Sequence, residues 1–178
     1  MDCKTVMAPI KTCLYAEDPA GSAIDFMVEK HMGLVPVTDR AGKFVGLISG
    51  DQLMGHLLPR TISAMGRMKR GMKQASYFQE SAADMNERLK SLRDTKIGDL
   101  VDRETRVAYP DTPLIDALML IQKKQYVVPV VDENYKLLGA ISFFSVLYAL
   151  RDKYDRDAVE SGKAKEREDR HKNRGGDK

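Results

Sequence analysis

The chain states one pattern twice, 93 residues apart. Gly33-Leu34-Val35-Pro36-Val37-Thr38-Asp39 aligns with Tyr126-Val127-Val128-Pro129-Val130-Val131-Asp132, and the register runs on without a gap from Phe44-Val45-Gly46-Leu47-Ile48-Ser49 to Leu137-Leu138-Gly139-Ala140-Ile141-Ser142. The same register matches Asp18 with Asp111 and Lys30 with Lys123. Each unit is about 50 residues, too small to enclose a large core alone, so the fold is expected to arise by packing the copies on each other.

Each unit reads as strand, helix, strand, strand, helix, an α+β arrangement. In the second copy, Arg106 to Tyr109 is a short extended run closed by Pro110-Asp111, and Thr112-Pro113 places a proline in the first turn of a helix, where its missing donor is harmless. Leu114, Ala117, Leu118 and Ile121 follow at helical spacing. The β-branched run Val127 to Val131 is the next strand, with Pro129 confining it to an edge, an end or an irregular place. A turn at Asp132 to Tyr135, a strand to Ser142 and a helix from Ser145 complete the unit. The first copy repeats this from Asp18-Pro19, with Gly33 placed to end its helix.

These units span residues 1–58 and 95–152. Between them, residues 59–94 have no counterpart. Met65, Met68, Met72, Ala75, Phe78, Ala82, Met85, Leu89 and Leu92 step by three or four, which predicts a helical insert with one apolar stripe. It is either one helix about 45 Å long or a hairpin whose second helix begins at the capping signal Ser81 to Asp84. Charge is uneven: residues 1–58 hold five Lys or Arg against seven Asp or Glu, whereas the insert holds eight against four. Its run Arg60, Arg67, Lys69, Arg70 and Lys73 suits either nucleic acid or, more plainly, a solvated helix face. The tail, residues 153–178, is charged, nearly free of large apolar side chains and expected to be disordered.

No apolar run approaches the roughly 20 residues that span a bilayer, and the N-terminus shows no signal-peptide progression. Cys3 and Cys13 are the only thiols and make neither a disulfide framework nor a metal-type pair, which fits a cytoplasmic setting. His31, His56 and His171 share no ligand spacing. Nothing resembles a nucleophile elbow, a phosphate-binding Gly loop or a paired-carboxylate centre, so no catalysis and no resident cofactor or metal are expected.

Two copies of x-Pro-Val-x-Asp, each followed ten residues after its proline by Gly-x-Ile-Ser, resemble the cystathionine β-synthase (CBS) domain, and the tandem resembles a Bateman module. The resemblance implies repeats packed about a pseudo-twofold axis, a homodimer of such pairs, and clefts between repeats that take AMP, ADP, ATP or S-adenosylmethionine to regulate an effector protein. It points to Ser49 and Ser142 for phosphate and to the cleft strands at Val35, Pro36, Val128 and Pro129. The family's ribose-binding Asp falls at Gln52 and Ser145, so neither copy has it; Asp51 is a substitute one position upstream. Ser49 and Ser142 also suit plain helix caps. Three readings stand: a nucleotide-sensing regulator acting in trans, a ligand-free dimeric scaffold, and a nucleic-acid-associated regulator resting on the insert's charge.

Overall fold

The computed structural model describes residues 1–10, 13–59 and 81–156. The basic run, the stripe from Met65 to Phe78 and the tail beyond 156 lie outside them. In order, the elements are β1 (Ala8–Pro9), β2 (Leu14–Tyr15), α1 (Ala20–Lys30), β3 (Leu34–Thr38), β4 (Phe44–Ser49), α2 (Gly50–Leu57), α3 (Ala82–Asp94), α4 (Leu114–Gln122), β5 (Val127–Val131), β6 (Leu137–Ser142) and α5 (143–156).

Two three-stranded sheets result, ordered β2-β3-β4 and β1-β6-β5. Valines and isoleucines of β3 to β6 bury one core per repeat. The sheets meet where Lys43 bridges Lys136, flanked by Phe44 N–H to Tyr135 C=O at 2.9 Å and Leu137 N–H to Gly42 C=O at 3.0 Å. Lys43 and Lys136 are equivalent positions of the two copies, and the same offset of 93 matches Gly42 with Tyr135 and Phe44 with Leu137, so the two flanking bonds are each other's counterparts and this bridge sits on the pseudo-twofold axis the repeat implies. Phe44, Leu47 and Val131 pack across it.

The segment before each repeat crosses to the other. Residues around β1 belong with the second repeat: Cys3 and Val6 lie in its core, and Ala8 and Pro9 pair with Ala140 and Gly139. Reciprocally, Ile97 and Leu100 lie in the first core and Asp102 pairs with Leu47. Core membership therefore does not follow the sequence boundaries at 58 and 95.

Three expectations change. The spacing is 93 only after the first helix; before it, Asp2 bridges Pro113 while Pro19 bridges Lys96, an offset of 94. Asp18 thus plays the part of Thr112 rather than Asp111: each gives its C=O to an exchanged arm, to Ile97 N–H and Cys3 N–H respectively, both at 2.9 Å. The stretch from the proline that caps the first helix to the left-handed residue that follows it, Pro19 to His31, is one residue longer than its counterpart from Pro113 to Lys124. Second, the strand expected at 106 to 109 makes one bridge only, Ala108 with Val130. Third, Pro36 lies in the central strand of its sheet. Among the described residues, β2 pairs only with Val37 and Thr38, so no described rung of the ladder calls on the missing N–H.

α3 starts where Ser81 caps it, its Oγ accepting from Asp84 N–H at 3.2 Å. It packs on α1 and α2. Leu92 is 4% exposed and enters the first core. Of the other stripe residues described here, Leu89 is half-buried and Met85 is 39% exposed, so contact is made by the helix's last two turns. Arg93 grips Asp25 through two hydrogen bonds of 2.9 and 2.8 Å, and Arg88 Nε donates to Leu57 C=O at 2.8 Å.

Candidate functional site

Each cleft strand ends in a serine that heads a helix. Ser49 Oγ accepts from Gln52 N–H at 3.2 Å, while Gln52 Oε1 accepts from Ser49 N–H at 2.9 Å and from Ser49 Oγ–H at 3.1 Å. This reciprocal cap satisfies donors that a helix start otherwise leaves open. The second repeat does the same with two serines: Ser142 Oγ accepts from Ser145 N–H at 3.3 Å, and Ser145 Oγ accepts from Ser142 N–H and donates to Ser142 C=O, both at 3.0 Å.

The residues at the family's ribose-binding position are therefore turned back on the backbone in both copies. Gln52 keeps a donor in hand, because its Nε2 makes no hydrogen bond among the described residues. The Ser145 hydroxyl proton is already given to Ser142. Both serines, Gln52 and Ser145 are half-buried, and Asp51 is exposed in the first turn of α2, where a carboxylate suits the helix dipole. In the second repeat, the corresponding place is taken by the exposed pair Phe143 and Phe144, edge to face at 5.5 Å.

All four of Val35, Pro36, Val128 and Pro129 are buried. Val35 and Val128 belong to the cores of the two repeats, whereas Pro36 and Pro129, next to them on the same strands, turn to the opposite face of each sheet. Arg40 is committed to Asp18 and Glu17 and lies over the Tyr15 ring at 4.2 Å. His56 is exposed near the end of α2, and His31 closes α1. Burial pushes the Cys3 thiol up, with Asp116 and Asp2 adding to it, which keeps it protonated and unreactive. Among the described residues, no group of His, Cys, Asp or Glu could hold a metal, and no helix is long and apolar enough to cross a membrane.

One polar arrangement escaped the sequence reading. Ala108 N–H donates to Pro129 C=O at 2.9 Å and Val131 N–H to Ala108 C=O at 3.0 Å, a parallel ladder. Its next rung would take the N–H of residue 129, which proline lacks. The strands part there, and the Gln125 carboxamide stands between them. Its Oε1 accepts from Arg106 N–H at 3.2 Å, and its Nε2 donates to Arg106 C=O at 2.6 Å and Val127 C=O at 3.2 Å. Val127 pairs with Ser142, so this slot opens beside the head of α5. A proline four residues after a glutamine was the available signal.

The family profile described as "CBS domain" matches residues 3–59 and 97–152. An uncharacterised protein of Methanocaldococcus jannaschii is 28% identical over 123 residues, 65% of this chain and 71% of that one. Among solved structures, CBSX2 in complex with AMP is similar with a TM-score of 0.60 and 21% identity, covering 86% of this chain and 98% of the other; CBSX2 from Arabidopsis thaliana without a named ligand gives 0.63 over 86% and 96% at 21% identity. CbpB in complex with c-di-AMP gives 0.60 at 17% identity over 90% and 91%.

Proposed function

The chain belongs to the CBS domain family and carries two copies of the domain, and from that premise we propose that it is a non-catalytic regulatory module which binds an adenosine nucleotide between its repeats and acts on a separate effector protein. The observation that carries this is the half-buried helix head at the end of each cleft strand, Ser49 with Gln52 and Ser142 with Ser145. Such a head presents a hydroxyl and unpaired backbone N–H groups, the chemistry that receives phosphate or ribose oxygens. Complexes of similarly folded proteins with AMP and with c-di-AMP support an adenine nucleotide as the ligand class.

Two features shape the proposal. No cation stands beside either serine in the first turn, so affinity rests on the base and sugar more than on phosphate charge. Both repeats also leave apolar helix faces in water: Val28 is 69% exposed, Met54 60%, Ile115 62% and Phe144 66%. Faces of that kind mark an interaction surface, and a second copy of the chain, meeting them about a twofold axis, makes a homodimer. Free thiols at Cys3 and Cys13 suit a reducing cytoplasm.

Native mass spectrometry of the purified chain tests the reading in one spectrum. A dimer of twice 20.0 kDa carrying mass increments of an adenosine nucleotide is expected. A monomer that takes up no AMP, ADP, ATP or S-adenosylmethionine contradicts it.

A further inference from the structure

Where the second repeat would read a nucleobase, its own side chain is already in place. The slot beside Ser142 exposes three backbone groups that the interrupted ladder cannot use: the N–H and C=O of Arg106 and the C=O of Val127. A ligand edge that fits must offer two donors on one atom and an acceptor beside it. The Gln125 carboxamide does so, with all three bonds formed at 2.6 to 3.2 Å. Adenine does so too, through the two hydrogens of its 6-amino group and the adjacent ring nitrogen, whereas guanine presents a carbonyl oxygen at that carbon and would face Arg106 and Val127 with oxygen against oxygen.

We propose that Gln125 is an internal stand-in for adenine that holds the base slot of the second repeat closed, so that the two clefts of this chain are not equivalent. The inference rests on the adenosine-binding reading and adds which residue decides occupancy. The first repeat has Met32 at the same place. The equivalence is structural, since Met32 N–H bonds Met27 C=O and Gln125 N–H bonds Leu120 C=O, each at 3.1 Å and each after a left-handed residue, His31 or Lys124. A thioether has no N–H and cannot make the bridge. The sealed cleft is also the one whose helix head has spent its Ser145 proton on its own backbone.

The test is calorimetric titration of the full chain with AMP, and separately with GMP, for the wild type, Gln125→Met and Gln125→Glu. Methionine copies the first repeat; glutamate keeps the oxygen that accepts from Arg106 and loses both donors. The expected result is one AMP per wild-type chain and a second site in both variants, at least tenfold weaker for GMP, with melting temperatures showing that the variants are folded. A side-chain amide of Gln125 protected from hydrogen exchange by nuclear magnetic resonance is expected in the ligand-free wild type and reports the plug without any nucleotide. Two equal sites in the wild type, or variants that bind AMP as the wild type does, overturn the inference while leaving nucleotide binding intact. Absence of AMP binding in all three proteins overturns both.

Discussion

A methyl group placed on Gly139 would lie 2.7 Å from the carbonyl oxygen of Ala8, closer than a side-chain carbon approaches backbone. Gly46 stands in the same relation to the carbonyl of Asp102. The glycine of each Gly-x-Ile-Ser motif thus serves the fold: it lets the arm preceding the other repeat lie flat on the strand. Gly139→Ala and Gly46→Ala should each destabilise the chain by about 1–3 kcal/mol, the usual cost of overpacking where a backbone must shift. Urea unfolding of the two variants measures this, and two silent substitutions would show that the arms do not pack so closely.

Thr38 is 1% exposed and its Oγ1 has no hydrogen-bond partner among the described residues. Valine occupies the corresponding position in the second repeat, Val131, at 0% exposure. Removing an unsatisfied buried hydroxyl with an isosteric methyl relieves a desolvation cost, so Thr38→Val should raise stability by about 1 kcal/mol. Chemical denaturation reads the sign directly; a loss of stability would mean that the hydroxyl is satisfied in solution.

The double hydrogen bond from Arg93 holds the Asp25 carboxyl below its ordinary value, and the Arg93 guanidinium rises in turn. A carboxylate with a depressed folded-state pKa contributes stability above its unfolded-state pKa, and the contribution fades as pH falls through the folded-state value. The hold of α3 on α1 should therefore loosen only below about pH 4. Asp25→Asn should flatten that part of the melting profile and leave its neutral-pH side parallel to wild type. Both groups are exposed, so the effect at neutral pH is small.

Gln52 stands where the family carries its ribose-binding Asp; its Oε1 is spent on Ser49 and its Nε2 makes no hydrogen bond among the described residues. Gln52→Asp supplies a charged acceptor for two hydroxyls and should tighten AMP binding several-fold, since hydrogen bonds to charged groups exceed neutral ones. Ser49→Ala removes the cap as well as the hydroxyl and should cost about 1 kcal/mol of stability besides weakening binding. Affinity unchanged by Gln52→Asp would place the sugar elsewhere.

Much of this was legible in the sequence because a duplicated motif constrains topology: two cores, their valine strands, the capping serines and the helix start at Ser81 all follow from local chemistry. Crossing of the arms was not legible, because Cys3, Val6, Ile97 and Leu100 are apolar residues that either repeat could bury, and pattern alone does not say which. The change from 94 to 93 was hidden by the good match at Asp18 and Asp111; only the bridges at Asp2 and Pro19 show where the extra helical residue sits. For the site, sequence located the helix heads; of the strand residues it named, alternation places Val35 and Val128 in the cores and Pro36 and Pro129 on the opposite faces of their sheets. Gln125 passed unnoticed, since its role depends on the N–H that Pro129 lacks.

The most direct test of the account is thermal unfolding of the full chain against rising AMP. A ligand that binds only the folded state stabilises it by mass action, about 2.7 kcal/mol at a hundredfold excess over its dissociation constant. A melting temperature that climbs with the logarithm of AMP concentration, and far less with GMP, is the predicted result. A melting temperature unmoved by millimolar AMP, ADP, ATP and S-adenosylmethionine alike would contradict it and leave the chain a scaffold.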